Sequence, residues 1–147
     1  MTKKEARKLI EVYLASNWSQ TPIQWENVES RDNTSASREI LEFGQADYLS
    51  VDIDFIGSRT ITVPAHCIRY SCLLVLSVHV KEGKGAAVVD GYSDALIGLL
   101  ENKTLPGSDS PVRIRNITGE ASYYTETGWY VSETQFSFWF DRYTSVP

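Results

Sequence analysis

The chain has 147 residues, 42% apolar and 22% charged, with a formal net charge of -5. That length suits one domain with a single core, burying about 68–70% of the surface its unfolded chain exposes. The acidic balance argues against a DNA-binding surface built on counterion release and against an anionic membrane as partner, and no run approaches the roughly 18 apolar residues of a membrane helix.

The first segment, MTKKEARKLIEVYLASNW, places basic residues before apolar ones, but Glu11 and Ser16 interrupt the apolar run and no signal-peptide core forms. A soluble intracellular protein is the expectation. Thr2 and Glu5 have the spacing of a capping box, and Ala6, Leu9, Ile10, Tyr13 and Leu14 fall on one helical face, which predicts a first helix to about Asn17. Lys3 and Lys4 oppose the helix dipole, so the first turn should fray or find an acidic partner.

PIQWENV (22–28) then reads as a short strand begun by Pro22, with Ile23 and Trp25 anchoring the helix to a sheet. ESRDNTSASRE (29–39) has no apolar period and predicts a mobile loop running to about residue 44. In DYLSVDIDFIGS (47–58), Leu49, Val51, Ile53 and Phe55 alternate with Tyr48, Ser50, Asp52 and Asp54, the pattern of a half-buried strand. CIRYSCLLVLSVHVKEG (67–83) is apolar on both faces at mid-length, as a central strand requires.

GKGAAVVDGYSDALIGLLENK (83–103) predicts a second helix with Val88, Tyr92, Ala95, Leu96 and Leu99 inward, and with Gly91 and Gly98 allowing close approach to the sheet. A second mobile loop is expected near 103–111, a strand at VRIRNI (112–117), and a last strand in GWYVSETQFSFWFDRY (128–143). The order α-β-β-β-α-β-β points to an α+β single domain over 1–147. Its sheet should be mixed but mainly antiparallel, of about five strands, with two main helices packed on one face.

Chemistry-bearing residues are sparse in pattern. Asp52 and Asp54 point the same way from one strand, as a metal or paired-carboxylate site would require, but spacing supplies no third ligand. His66, Cys67, Cys72 and His79 lack the spacings of a zinc site, and the two cysteines, five apart in a strand, point to opposite faces and make poor disulfide partners. Gly83-Lys84-Gly85 precedes a helix without completing a phosphate-binding loop. Trp18, Trp25, Trp129 and Trp139 suit core or interface packing better than base stacking, because basic residues are not interleaved with them in sequence. No catalytic, cofactor-binding or metal site is expected.

Taken in order, the amphipathic first helix followed by PIQWENV, the strand DYLSVDIDF, the apolar strand leaving through VKEGKGAA into DALIGLL, and the late GWYVSETQFSFWF resemble the tail terminator-like proteins of long-tailed phages and prophages. The resemblance covers most of the chain; the polar loop at 29–39 and RTITVPAHC (59–67) depart from the usual pattern. It implies a small α+β domain that is not an enzyme. Such a protein assembles as a homo-oligomeric ring, commonly of six subunits, that caps the tail tube, ends its polymerisation and offers a surface to neck or head-completion proteins. Its place would be the head-proximal end of the virion tail, after assembly in the host cytoplasm.

In such a ring Asp52 and Asp54 would line an acidic lumen through which DNA passes without specific binding. Arg31, Asp32, Arg38 and Asp109, on the two polar loops, would make assembly contacts that order on binding. Another neck or head-tail joining protein of similar fold is the alternative reading, and a small cysteine- or metal-dependent hydrolase is the reading from a different class.

Overall fold

The structure, a computed structural model, describes residues 1–25, 47–61, 66–81, 83–125 and 128–144. In chain order it builds α1 (Lys3–Asn17), β1 (Ile23–Trp25), β2 (Tyr48–Thr60), β3 (Cys67–Lys81), α2 (Ala86–Leu100), β4 (Thr104–Leu105), β5 (Val112–Tyr124) and β6 (Trp129–Tyr143). One sheet holds six strands in the order β1-β2-β3-β6-β5-β4. Its long strands pair antiparallel, and β1 runs parallel to β2. The α+β class, the mainly antiparallel sheet and the helices on one face agree with the sequence pattern; β4 is a sixth strand, two residues long, inside a stretch read as loop.

The capping box of α1 forms as its spacing predicts. The Glu5 N–H donates to Thr2 Oγ1 at 3.2 Å and the Thr2 N–H donates to Glu5 Oε2 at 2.6 Å, so two amides that the first turn leaves unpaired are satisfied. Lys3 finds an aromatic partner instead of the acidic one expected: its Nζ lies 5.3 Å from the Phe55 ring centre and 5.5 Å from that of Tyr70. The quadrupole of the rings offsets the cost of a cation at the helix N-terminus. Ala6, Ile10 and Leu14 form the buried stripe of α1.

The core lies between the helices and one sheet face. Leu49, Val51 and Ile53 of β2, Cys72, Leu74, Leu76, Val78 and Val80 of β3, and Phe136, Phe138 and Phe140 of β6 meet the stripes of α1 and α2 there. Ile23 and Trp25 of β1 are half-buried against the same cluster, as expected of a joint between helix and sheet. Strand β3 is central, paired on both sides, with Leu73 and Val75 half-buried on the face away from the helices.

Helix α2 differs from expectation in two respects. Its buried stripe is Val89, Ser93, Leu96 and Leu100; of the predicted line Leu96 is fully buried, Tyr92, Ala95 and Leu99 are half-buried against the core, and Val88 is exposed. The Ser93 and Ser132 hydroxyls share a buried hydrogen bond of 2.8 Å, which permits a serine in the stripe. Gly91 and Gly98 do not ease a close approach: a Cβ built on either meets no atom within 4 Å. Glu101 ends the helix with extended backbone, and Asn102 follows in the left-handed region, φ 57°, inside a turn closed by the Lys103 N–H donating to the Leu100 carbonyl at 3.2 Å.

The segment 103–111, read as a loop, carries β4, and two polar contacts lie in its later part. The Met1 ammonium pairs with Asp109 Oδ2 at 2.6 Å, and Ser110 Oγ donates to the Asp141 carbonyl at 2.7 Å. The loop expected at 29–44 lies outside the described residues.

Candidate assembly surface

Strand alternation sends one set of side chains away from the helices, onto what is called here the distal face. At one end of it Tyr48 stacks on His79, with ring centres 4.2 Å apart and planes 6° apart, and Trp129 meets Tyr48 edge-on at 5.2 Å. Tyr48, Trp129 and Val131 are buried there as a small second core. Burial lowers the His79 pKa, opposed in part by a contact of Nδ1 with the Ser77 carbonyl at 3.1 Å. Because a carbonyl only accepts, Nδ1 carries the proton of the neutral ring.

At the other end the Arg69 guanidinium forms a two-pronged pair with Asp141, Nε to Oδ1 at 2.8 Å and NH2 to Oδ2 at 2.9 Å. This pairing raises the Arg69 pKa further. The same guanidinium lies 3.7 Å from the Trp139 ring centre, and those of Arg113 and Arg115 lie at 5.2 and 5.6 Å. Three cations thus surround one indole, a site where their attraction to the ring and their short tether to strands restrict them before any partner arrives. Arg113 and Arg115 are exposed and form no ion pair among the described residues.

Asp52 and Asp54 share this face, as their spacing predicts, and both are exposed at the β2 edge. Asp109 holds the Met1 ammonium, and that bond lowers its pKa; Arg31, Asp32 and Arg38 lie outside the described residues. Lys84 of the glycine-flanked turn is paired with the buried Asp47 at 3.0 Å, and Tyr92 donates to the other oxygen of that carboxylate at 3.0 Å. The turn is thereby fastened to the start of β2.

Cys67 and Cys72 are buried and form no disulfide with each other, and burial pushes the Cys72 thiol up to about 12. It carries almost no thiolate at neutral pH, the form a nucleophile needs. Among the described residues no three histidine, cysteine or carboxylate groups come together as metal ligands would.

The cluster of Arg69, Arg113, Arg115 and Trp139 was missed by reading along the chain. Its only sequence signal is alternation, VRIR putting Arg113 and Arg115 on one side and FWF putting Trp139 opposite two buried phenylalanines. The register that brings them together, Arg113 opposite Trp139 and Trp139 opposite Ser71, depends on strand pairing alone.

No protein-family profile and no curated protein matches the chain. Solved structures do. One of them aligns over 95% of this chain and 98% of its own with a TM-score of 0.63 and 16% sequence identity. The likeness is one of fold. At that identity it transfers no activity.

Proposed function

We infer that this chain is a structural assembly protein, a tail terminator of a long-tailed phage or prophage, which caps the tail tube as a homo-oligomeric ring of six copies. The ring ends tube polymerisation and offers its other side to a neck or head-completion protein. The observation that carries the reading is the distal face, which holds two aspartates at the β2 edge and exposed arginines on β5. A subunit that joins copies side by side needs two different surfaces of this kind.

The sequence resemblance adds to it. The segments that carry the resemblance are α1 with β1, β2, β3 leading through the Lys84 turn into α2, and β6, which together supply most of the core. Six copies at -5 each carry -30 formal charges. In a lumen formed by the distal face, Asp52 and Asp54 stand beside Arg113 and Arg115 and their charges largely balance, so it is the net charge of the ring that keeps the genome from sticking.

The test is assembly. Native mass measurement of the purified chain should find a closed ring, and addition of the chain to polymerising tube protein should shorten the tubes and leave one ring at one end. Tubes of unchanged length with no bound ring would reject the terminator reading.

A further inference from the structure

We propose that the Arg113 and Arg115 edge of one copy and the Asp54 edge of the next are the two halves of a single head-to-tail contact. The inference rests on the ring reading and assigns its interface.

The strand registers place these groups at one level. Asp54 is opposite Leu73, and Leu73 is opposite Ser137. On the far side of β6, Ile114 is opposite Phe138 and Ile117 opposite Phe136, so Arg115 stands in the bulge facing Ser137. Asp54 and Arg115 therefore lie on one rung and one face, three strand spacings or about 14 Å apart, too far to pair within a chain. A second copy beside the first brings them together.

Strand directions agree with that placement, and at this rung β2 is uncovered while β4 lies outside β5. Strand β1 covers β2 only at Leu49–Val51, and β4 covers β5 at Val112 and Arg113, with backbone bonds reaching Arg115. Among the described residues, β2 from Asp54 onward and β5 from Asn116 onward have no strand on their outer sides. The two open stretches stand at opposite ends of the sheet, β5 Glu120–Ser122 being level with the β1-covered Leu49–Val51 of β2, so they form no continuous ladder between copies and side chains make the contact. Following the antiparallel pairings across the sheet, β2 and β5 run in opposite directions. Rotation about an axis along the strands preserves direction, so β5 of one copy meets β2 of the next antiparallel, and the contact is heterologous, as ring closure requires. The bulges between Ile114 and Gly119 bend β5 locally, so side-chain ion pairs rather than a regular ladder form the contact at Arg113 and Arg115.

The chemistry of the cluster selects a carboxylate partner. Arg69 already occupies the Trp139 ring at stacking distance and is itself neutralised by Asp141, so the indole is not offered to a nucleobase. What remains are two guanidiniums without counter-ions among the described residues, whose planar forks match carboxylates.

A charge-swap experiment decides the matter. Variant one carries Arg113→Glu and Arg115→Glu; variant two carries Asp54→Arg. Native mass spectrometry should show an oligomer for the unaltered chain and a more than tenfold loss of it for each variant alone, with melting temperatures of the monomers little changed. An equimolar mixture should recover rings with the two variants alternating, because each new charge meets its opposite and each remaining edge meets its original partner. If the double variant fails to fold, Arg115→Glu alone takes its place. Assembly of either variant like the unaltered chain, or no recovery on mixing, overturns the proposed contact while leaving the ring reading standing. An unaltered chain that stays monomeric even with tube protein overturns both. Unchanged assembly with lost retention on duplex DNA reassigns the arginines to nucleic acid and also overturns the contact.

Discussion

Replacing Gly91 and Gly98 by alanine should stabilise the protein. Both lie inside α2 on its exposed side, neither has a positive φ, and a Cβ on either would meet nothing within 4 Å. Glycine in a helix interior costs about 0.5–1 kcal/mol relative to alanine, because the unfolded chain loses more freedom there. With no steric debit to set against it, that whole amount is recovered at each site. The two positions are seven residues, about 10.5 Å, apart along the helix axis and share no partner, so their effects should add to about 1–2 kcal/mol. At about 2–4 °C per kcal/mol for a chain of this size, the melting temperature of the double variant should rise by about 2–8 °C. Urea unfolding followed by circular dichroism, at a concentration where the chain is monomeric, should show a higher midpoint at an unchanged slope. A loss of about 0.5 kcal/mol or more at either site would refute the reasoning, since it would require a neighbour packed against that side of α2.

Stability should also depend on His79. Its folded pKa lies below the ordinary 6.5, so the native state binds fewer protons than the unfolded one; the contribution is full above pH 6.5 and is lost as pH falls below it. Urea midpoints between pH 5 and pH 8, on the order of the range where histidine titrates, should fall on the acid side, and His79→Gln should flatten that slope. The two thiols should resist a disulfide reagent at mildly alkaline pH in the native protein and react fully in urea, because both are buried and the Cys72 thiolate is suppressed. Phe136→Ala, at a fully buried position of β6, should cost about 3–5 kcal/mol by urea titration, as a large cavity in the centre of the core requires.

Most of the fold was legible because most of its elements have one wet side. Strands β2 and β6 alternate and α1 has both a capping box and a clean period, so their faces follow from spacing. Helix α2 spreads apolar residues over more than half its circumference, including Val88, Val89, Ile97, Leu99 and Leu100, and a period does not fix which of them sits at the centre of the stripe. The second half of β5, TGEASYY, was unreadable as strand because it is exposed almost throughout and owes its extension to pairing with β6. The aspartates of the distal face were visible because they sit two apart on one strand. The arginine cluster was not, because it gathers three strands and register is set by pairing across the sheet.

The hydroxyl pair between Ser93 and Ser132 settles what the apolar pattern of α2 leaves open. Greasy surfaces slide and roll over one another at little cost, and α2 could present Val88 or Val89 to the sheet with similar gain. A roll by one residue would separate the two hydroxyls and lose their hydrogen bond, at a net cost of about 0.5–1.5 kcal/mol. One small polar contact thus acts as the key that seats the helix in a single rotational setting, and with it the position of every side chain α2 turns towards solvent.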